Sequence, residues 1–529
     1  MASSGTLGAL FPSLDVYKTK TKLQYSIILL SSITMYSNNQ YMQHFSPVFR
    51  VPNELLENIF NTYVTMLSAP DQVEARRYIV AYTQVCRFFR DVAHASPRLW
   101  RFIDLNRPRV TQVFLQRSRS AVPLTLLAFS DRKLPQIEWM NKSPNFGERV
   151  SQVDVELASV DLRRLLDALG PTLPQLYRLR IVNRKPLLTS PGYSMATHTN
   201  LPSLRHLVLH AVKLPWQNLT DLIFLHLADL EEQLAPSLNE IYALLSNNRR
   251  LEHFQLSFVH STGWGSALPP IELAELKLIH LVLPPDLVPV ILRLMSFPLS
   301  THLRVGAFSS ADGFLSIFPK TNGALYSHLA VTEGSTLSIL LRTIRLHRSA
   351  SPPFSDGTAN PGPVVTLIMP YPAPAYASIL QDAPKLFDLF WLSTLELDVV
   401  WAVDEDSLAY HLYALLTATP NLTTLRVSQH GGDCLSRVLG KPGSDRLPTD
   451  VLCPRLTRLS FGAPDQMWWD FPQRWINPLV ACLQERAFCT GAPLKTIEFL
   501  GQGRIERSSA AVLEPYVGEI LRSVTWSRR

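Results

Sequence analysis

The stretch Leu204-Arg-His-Leu-Val-Leu209 decides the fold, because its pattern L-x-x-L-x-L recurs along most of the chain. Toward the end of each copy, apolar residues alternate with other residues, which is the period of a β-strand that buries one face. Each copy therefore predicts a short strand. The other copies are Leu176–Ile181, Leu251–Leu256, Leu422–Val427, Leu456–Phe461 and Leu494–Phe499, with shorter variants at Leu276–Leu281 and Leu395–Val399.

Segments with helical spacing of apolar residues precede several of these strands. In Asp161–Leu169, Leu162, Leu165 and Leu169 fall on one helix face. A helix–strand unit of this kind leaves its apolar face uncovered unless neighbouring units stack on it. We therefore expect stacked helix–strand repeats from about Val110 onward. The same helical pattern occurs in Ser237–Leu245, Ser407–Leu416 and Trp475–Leu483.

The spacing of the repeats is irregular. The step from Leu176 to Leu204 is 28 residues, but the next step, to Leu251, is 47. Ordinary leucine-rich repeats span about 20–29 residues. The sequence thus predicts an α/β fold, an irregular leucine-rich-repeat-like α/β solenoid with long loops, of which Ser349–Pro363 is expected to be disordered. An α/β domain without repeats remains an open alternative.

A different pattern precedes the repeats. Phe49–Phe60 carries a proline at Pro52 followed by apolar residues at helical spacing, which predicts a helix that begins near that proline. A second helix is expected to begin near Tyr78 and to run through the apolar residues up to Val92. Met66–Arg77 between them is interpreted as a surface loop. Pro97–Ile103 is expected to close a small helical unit.

Charge and cysteine content narrow the classes of partner. The formal net charge is +7, and Val51–Arg119 contains ten arginines against six acidic residues. This excess of positive charge suits an acidic protein surface as partner. The segment lacks aromatic residues interleaved with the arginines, which would favour nucleic acid.

The five cysteines form no C-x-x-C pair, so neither a zinc site nor a disulfide framework is predicted. A reducing compartment, the cytoplasm or the nucleus, follows from this composition.

The N-terminal residues resemble a targeting signal only superficially. The apolar run Ile27–Leu30 follows several lysines, but polar residues interrupt it, and it is far shorter than the ~20 residues of a membrane span. We therefore interpret residues 1–46 as a poorly ordered tail and expect no membrane association. A weak membrane anchor is the alternative.

The motifs of common enzymes are absent from the sequence. Gly440-Lys441 lacks the upstream glycine of a phosphate-binding loop, and Gly501-Gln-Gly503 has no third glycine at dinucleotide spacing. His206 and His210 lie four residues apart within one predicted strand, which separates them by about 13 Å and prevents them from sharing a metal ion. We therefore predict no enzyme activity, no cofactor and no metal, and place both histidines on the solvent face of a strand.

Two further features allow two interpretations each. Cys86 lies among the apolar residues of the second predicted helix, where a small buried residue is favoured over a reactive thiol. The pair Trp468-Trp469, with Phe471 and Trp475 nearby, either packs in the core or forms an exposed aromatic surface for a ligand.

The segment Val51–Leu105 resembles the F-box, the module by which receptors dock on the Skp-type adaptor of SCF ubiquitin ligases. Val51-Pro-Asn-Glu-Leu-Leu-Glu-Asn-Ile-Phe60 is similar to the F-box opening LPxELLxxIF, and Val85-Cys-Arg-Phe-Phe-Arg-Asp-Val92 to its middle VCRxWRxxA, with Phe89 in the tryptophan position. Pro97-Arg-Leu-Trp100 is similar to the closing PxLW. Together with the following Val113–Leu126, the segment resembles fungal F-box proteins with leucine-rich-repeat-like C-terminal regions.

The resemblance implies three regions: a tail at 1–46, a three-helix F-box at 47–107 and a target-binding repeat region at 108–529. Its partners would be the Skp-type adaptor, a cullin held through that adaptor, and an unidentified protein target. The implied function is substrate recognition for a ubiquitin ligase, and an F-box scaffold that delivers nothing for degradation is the alternative. The implied adaptor-binding residues are Pro52, Leu55, Leu56, Ile59, Phe60, Val85, Cys86, Phe88, Phe89, Val92, Leu99 and Trp100.

Overall fold

The computed structural model has a mixed α/β fold with a large, mostly parallel sheet. The described residues fall into two compact units, one within 1–186 and 197–203, the other within 187–196 and 204–529. The structure describes residues 50–66, 72–120, 122–129, 134, 137, 140, 145–170, 172–184, 193–194, 201–230, 233–257, 259, 268–307, 327–340, 343–348, 364–368, 376–398, 405–428, 435, 438, 451–462, 469–470, 475–491, 493–500, 503–504 and 507–522. The predicted tail at 1–46 and the predicted loop at 349–363 lie outside these residues.

Three helices open the first unit: α1 (Asn53–Met66), α2 (Gln72–Val85) and α3 (Arg87–Ala95). Helix α1 begins directly after Pro52, whose carbonyl accepts the N–H groups of Leu55 and Leu56. A 3₁₀ helix, Pro97–Arg101, follows α3 and leads into the strand β1 (Phe102–Asp104). The prediction of a helix that begins at Pro52 is confirmed.

Two boundaries in this region were predicted incorrectly. The segment Met66–Arg77 was expected to be a loop, but α1 extends to Met66 and α2 already begins at Gln72. Charged and polar residues suggested a loop there, although glutamine, glutamate, alanine and arginine are all good helix formers. The single helix expected from Tyr78 onward is divided at Cys86, whose backbone is extended.

The remainder of the first unit alternates helices with parallel strands. Strand β1 pairs with β2, β2 with β3 and β3 with β4, in each case in parallel. Parallel neighbours require long connections, and helices supply them here. The elements after β1 are α4 (Pro108–Ser118), β2 (Leu124–Phe129), α5 (Phe146–Arg149), β3 (Val150–Leu157), α6 (Ser159–Leu169) and β4 (Arg178–Asn183).

The second unit continues the same alternation. Its helices are α7 (Leu238–Asn247), α8 (Leu287–Arg293), α9 (Tyr376–Leu386), α10 (Glu405–Thr417), α11 (Ile476–Thr490) and α12 (Arg507–Leu513). Its strands are β5 (Tyr193–Ser194), β6 (His206–His210), β7 (Val212–Lys213), β8 (Phe224–Ala228), β9 (His253–Ser257), β10 (Ile271–Glu272), β11 (Leu278–Leu283), β12 (Met295–Ser296), β13 (His302–Ala307), β14 (Thr336–Leu340), β15 (Thr343–His347), β16 (Val364–Ile368), β17 (Thr394–Leu397), β18 (Thr424–Val427), β19 (Arg458–Phe461), β20 (Trp469–Asp470), β21 (Leu494–Phe499), β22 (Gly503–Arg504) and β23 (Val517–Arg522). Short 3₁₀ helices lie at Trp216–Asn218, Leu389–Trp391 and Glu514–Tyr516.

Most strands of the second unit pair in parallel and in chain order. One ladder joins β6, β8, β9, β11 and β13, and another joins β14, β17, β18, β19, β21 and β23. Three short parallel pairs, β5–β7, β10–β12 and β20–β22, lie apart from these ladders. The strands predicted from the leucine pattern are confirmed in both units, because each overlaps one of the observed strands.

A reversed strand connects the two ladders. Only two residues separate β14 from β15, and so short a connection requires antiparallel pairing. Strand β16 then lies between β15 and β13, antiparallel to the first and parallel to the second. The spatial order is therefore β13, β16, β15, β14, β17. The sequence predicted none of β14–β16, because the leucine pattern does not occur there.

Leucines explain both the strands and the helices. In β6, Leu207 and Leu209 are fully buried, whereas His206, Val208 and His210 are half-exposed. Each helix predicted in the repeat region likewise buries its apolar stripe, as α7 does with Leu238, Ile241 and Leu245. Ser237 and Glu240 form a capping box at the start of α7, which fixes where the helix begins.

Among the described residues, no helix combines the length and the apolar character needed to cross a membrane.

A hydroxyl ladder aligns the strand starts. The residue before β17, Ser393, donates its Oγ–H to the carbonyl of Ser335 before β14 at 2.9 Å. Thr423 before β18 donates to the carbonyl of Ser393 at 2.9 Å, and Thr457 before β19 donates to that of Thr423 at 3.2 Å. Each carbonyl is part-buried, so a side-chain donor stabilises it where solvent is scarce.

The side chain of Asn248, near β8, also forms hydrogen bonds with buried backbone groups. Its Nδ2 donates to the carbonyls of Leu219 and Leu244 at 3.0 and 2.6 Å, and its Oδ1 accepts the N–H of Leu222 at 2.7 Å. The side chain is almost completely buried. It therefore holds the end of α7 against the loop that leads into β8.

Replacing Asn248 by alanine should lower the free energy of unfolding by about 2–4 kcal/mol, because three buried backbone groups lose their partner. Asn247 is the matched control, since it is the same residue type, one position earlier and exposed. Asn247→Ala should change stability by less than about 0.5 kcal/mol. Urea denaturation followed by circular dichroism measures both, and equal midpoints for the two variants would contradict the assigned role.

Candidate functional site

The helical segment from Pro52 to Trp100 contains the predicted adaptor-binding residues, and the structure divides them into interior and surface. On α1, Leu56 and Phe60 point inward and are buried. The Phe60 ring stacks on Tyr82 at a centroid distance of 4.3 Å and meets the edge of Phe89 at 5.4 Å. These rings form the small core that joins the three helices.

Trp100 belongs to the interior rather than to the surface. It is 1% exposed, and its Nε1–H donates to the carbonyl of Ala93 at 2.7 Å. Its ring meets Phe114 edge-on at 4.9 Å, and the Arg117 guanidinium lies 4.3 Å from the ring centroid. Both neighbours lie on α4, so Trp100 fastens the helical segment to the part of the unit that follows it.

The remaining predicted residues, on α2, α3 and the 3₁₀ helix Pro97–Arg101, also support the fold. Val92 and Leu99 are buried, and Val85 and Phe88 are half-buried. Cys86 caps α3, because its Sγ accepts the N–H of Phe89 at 3.4 Å. The cysteine is half-buried, so its observed contact is that of a helix cap.

Leu55 and Ile59 are exposed, in contrast to the adjacent Leu56 and Phe60. They are 53% and 51% exposed and lie one helical turn apart, so they form a single apolar stripe. Pro52, at the start of the helix, is exposed as well. We call Pro52, Leu55 and Ile59 the α1 stripe. Two large apolar side chains exposed on one helix face form a surface that a partner can cover.

Basic side chains accompany these helices. Arg87 and Asp91 on α3 form only a long pair, 3.9 Å apart, with both side chains largely exposed. Arg90 donates to the carbonyl of Thr83 at 2.8 Å. Burial and the neighbouring Arg98 lower the pKa of Arg101. Exposed ion pairs are weak, so Arg87 remains available to a second, acidic surface.

Other candidates of the sequence have structural roles or lie in strands. Trp475 is buried and Trp469 lies in β20, while Trp468 and Phe471 lie outside the described residues. Burial raises the pKa of the Cys453 thiol to about 11 and that of Cys482 to about 12, so both stay protonated at neutral pH. Within the described part of the chain, no three His, Cys, Asp or Glu residues are placed to hold a metal ion.

The predicted position of His206 and His210 is confirmed. Both lie on the half-exposed face of β6, and Nδ1 of His210 is 3.3 Å from Oδ2 of Asp229. The sequence did not reveal that histidines recur at half-exposed positions on neighbouring strands. Histidines occupy the half-exposed face of β8, β9, β11, β13 and β15 as well, and only the strand register brings them together.

Comparison of the sequence with protein-family models and with curated proteins found no match.

The division into buried and exposed residues predicts a large loss of stability for one substitution and almost none for another. Trp100→Ala should lower the free energy of unfolding by about 3–5 kcal/mol, because it opens a cavity and removes a buried hydrogen bond. Leu55→Ala removes an exposed side chain and should change stability by less than about 0.5 kcal/mol. Guanidinium denaturation of both variants tests this, and a large loss for Leu55→Ala would mean that the residue is not a surface residue.

Proposed function

We propose that the chain is the substrate-recognition subunit of an SCF-type ubiquitin ligase. Residues 47–107 act as an F-box that docks on the Skp-type adaptor, which in turn holds a cullin. Residues 108–529 form a leucine-rich-repeat-like solenoid that binds a protein target. The complex works in the cytoplasm or the nucleus, and this chain supplies recognition rather than catalysis.

One observation carries the proposal: the α1 stripe is exposed within the segment that most resembles the F-box opening. The same ten-residue motif supplies both the inward residues Leu56 and Phe60 and the outward residues Leu55 and Ile59. Packing within this chain accounts for the first pair only. Covering the second pair would stabilise a complex by about 1.5–3 kcal/mol for each side chain.

Charge supports the same assignment. Ten arginines and six acidic residues lie between Val51 and Arg119, and an excess of this size speeds association with an acidic partner. Within the first unit, the proposed docking helices are packed against the residues that follow them. Strand β1 pairs with β2, and Trp100 contacts Phe114 on α4.

The adaptor-docking step is tested by the double variant Leu55→Asp with Ile59→Asp. Two charges on the α1 stripe should weaken binding to a purified Skp-type adaptor by more than about a hundredfold, because each would be buried without a partner. Val160→Asp is the control, since Val160 is 69% exposed on α6, outside the F-box segment. Calorimetry measures both, and circular dichroism checks that both fold. Undiminished binding of the double variant would overturn the proposal.

Target delivery is tested separately in cells. Proteins captured by the wild-type chain should accumulate when the ligase is inhibited. The stripe variant should still bind these proteins but should no longer shorten their half-lives, because it holds the target without the adaptor. If captured proteins have the same half-lives with either chain, the chain is a scaffold that delivers nothing for degradation.

A further inference from the structure

Two exposed aromatic rings contact each other where the chain enters strand β17. Phe390 and Trp391 belong to the 3₁₀ helix that precedes this strand, and each is 49% exposed. Their ring centroids are 4.9 Å apart, and their planes meet at 83°, an edge-to-face contact. Leu389 and Leu392, on either side, are buried and fasten the turn to the core. We call Phe390 and Trp391 the aromatic pair.

Hydrogen bonds hold the backbone beneath the aromatic pair. The Asp388 carboxylate accepts the N–H of Phe390 at 3.3 Å. Leu392 donates its N–H to the carbonyl of Leu389 at 3.1 Å. From the turn before β18, Nδ2 of Asn421 donates to the carbonyl of Phe390 at 2.8 Å. The rings are therefore presented from a backbone that is already fixed, which lowers the entropy that a partner must remove on binding.

The carboxylate of Asp388 adds negative charge at this turn. Asp388 is exposed, and its bond to the N–H of Phe390 places the carboxylate beside the aromatic pair. Lys385, three residues earlier, is paired with Asp382 at 3.3 Å. Within the described part of the chain, Asp388 itself forms no ion pair. Its charge is thus open to a cation from outside the chain.

A second carboxylate lies at the same edge of the sheet. Ser393 donates both its N–H and its Oγ–H to the carbonyl of Ser335, so the turn before β17 lies beside the turn before β14. Trp391 is two residues before Ser393, and Glu333 is two residues before Ser335. Glu333 is exposed and forms no ion pair among the residues that the structure describes. The aromatic pair therefore has acidic residues on two neighbouring turns.

We propose that the aromatic pair binds a lysine or arginine side chain of a partner protein. A cation within about 6 Å of a ring centroid is attracted by the quadrupole of the ring, and a carboxylate nearby adds Coulomb attraction. An anion would be repelled by Asp388 and Glu333, and an apolar ligand would gain nothing from them. The formal net charge of the chain is +7, so this acidic, aromatic surface differs in sign from the chain as a whole. A basic segment is the ligand that fits both features.

This inference rests on the proposed function in one respect, because the basic segment would belong to the target of the receptor. The aromatic pair lies in the second unit, within the proposed target-binding residues 108–529. Binding there needs neither the adaptor nor the α1 stripe. It can therefore fail while adaptor docking succeeds, or the reverse, and the two results can be told apart.

The first test measures binding of the full chain to a fluorescent peptide in which arginine alternates with serine. A peptide with glutamine in place of arginine is the ligand control and should bind at least about tenfold more weakly at low salt. The net positive charge of the chain disfavours the basic peptide, so this preference would have to arise at a local site. No binding of the basic peptide, or equal binding of the two peptides, would overturn the proposal.

The contribution of the rings is tested by Trp391→Ala, which should weaken binding of the basic peptide by at least about tenfold. Tyr410→Ala is the matched control, because Tyr410 is 71% exposed on α10 and lies outside the aromatic pair. It should change affinity by less than about twofold. Circular dichroism checks that both variants fold, and an equal loss of affinity in both would contradict the assignment.

The contribution of charge is tested by combining Asp388→Asn with Glu333→Gln. Asparagine keeps an oxygen that accepts the N–H of Phe390, so the turn is preserved and only charge is removed. This double variant should bind the basic peptide at least about fivefold more weakly at low salt and should depend less on salt. Combining Glu272→Gln with Asp286→Asn makes the same charge change at exposed positions near β11, five strands away from β17. Equal affinities of the two double variants would rule out the proposed site.

A further measurement separates a protein segment from a lipid headgroup, since choline also carries a positive charge that aromatic rings attract. Vesicles of phosphatidylcholine should leave the full chain in the supernatant after sedimentation. Sedimentation with the vesicles that Trp391→Ala abolishes would assign the aromatic pair to a lipid surface and overturn its assignment to a protein segment.

Discussion

Register between parallel strands is the constraint on which the second unit depends. The N–H of Thr394 donates to the carbonyl of Ser335, that of Thr424 to Ser393, and that of Arg458 to Thr423, so the same bond recurs one strand further along. The hydroxyl ladder adds a side-chain donor to these same three carbonyls. A slip of one residue would break both sets of bonds and turn the buried leucines toward solvent. The backbone thus fixes which side chains face outward.

Register also makes neighbours of residues that are distant in sequence. Ser338 and Glu396 are 58 residues apart and form a hydrogen bond of 2.7 Å. The reversed strand β15 preserves this effect, because antiparallel pairing keeps the alternation of faces, so Arg345 lies in the same row as Thr366 and Arg304.

The fold class could be predicted because its signal is local. Leucines at a period of two identify a strand such as β6, and leucines at helical spacing identify a helix such as α6. Signals that depend on tertiary context could not be read in this way. Cys86 interrupts an apolar helical pattern because its sulfur caps α3, and a thiol is an uncommon cap. Strands β14–β16 were missed because their position between two ladders depends on pairing, not on a repeated pattern.

The candidate site was predictable as a segment but not residue by residue. Leu55 and Leu56 are adjacent, and successive helical residues point about 100° apart, so a stripe of four apolar residues spans two directions. The sequence cannot say which direction meets Phe89 and Tyr82 and which meets solvent. Trp100 was assigned to the surface for the same reason, since its neighbours Phe114 and Arg117 belong to the next helix.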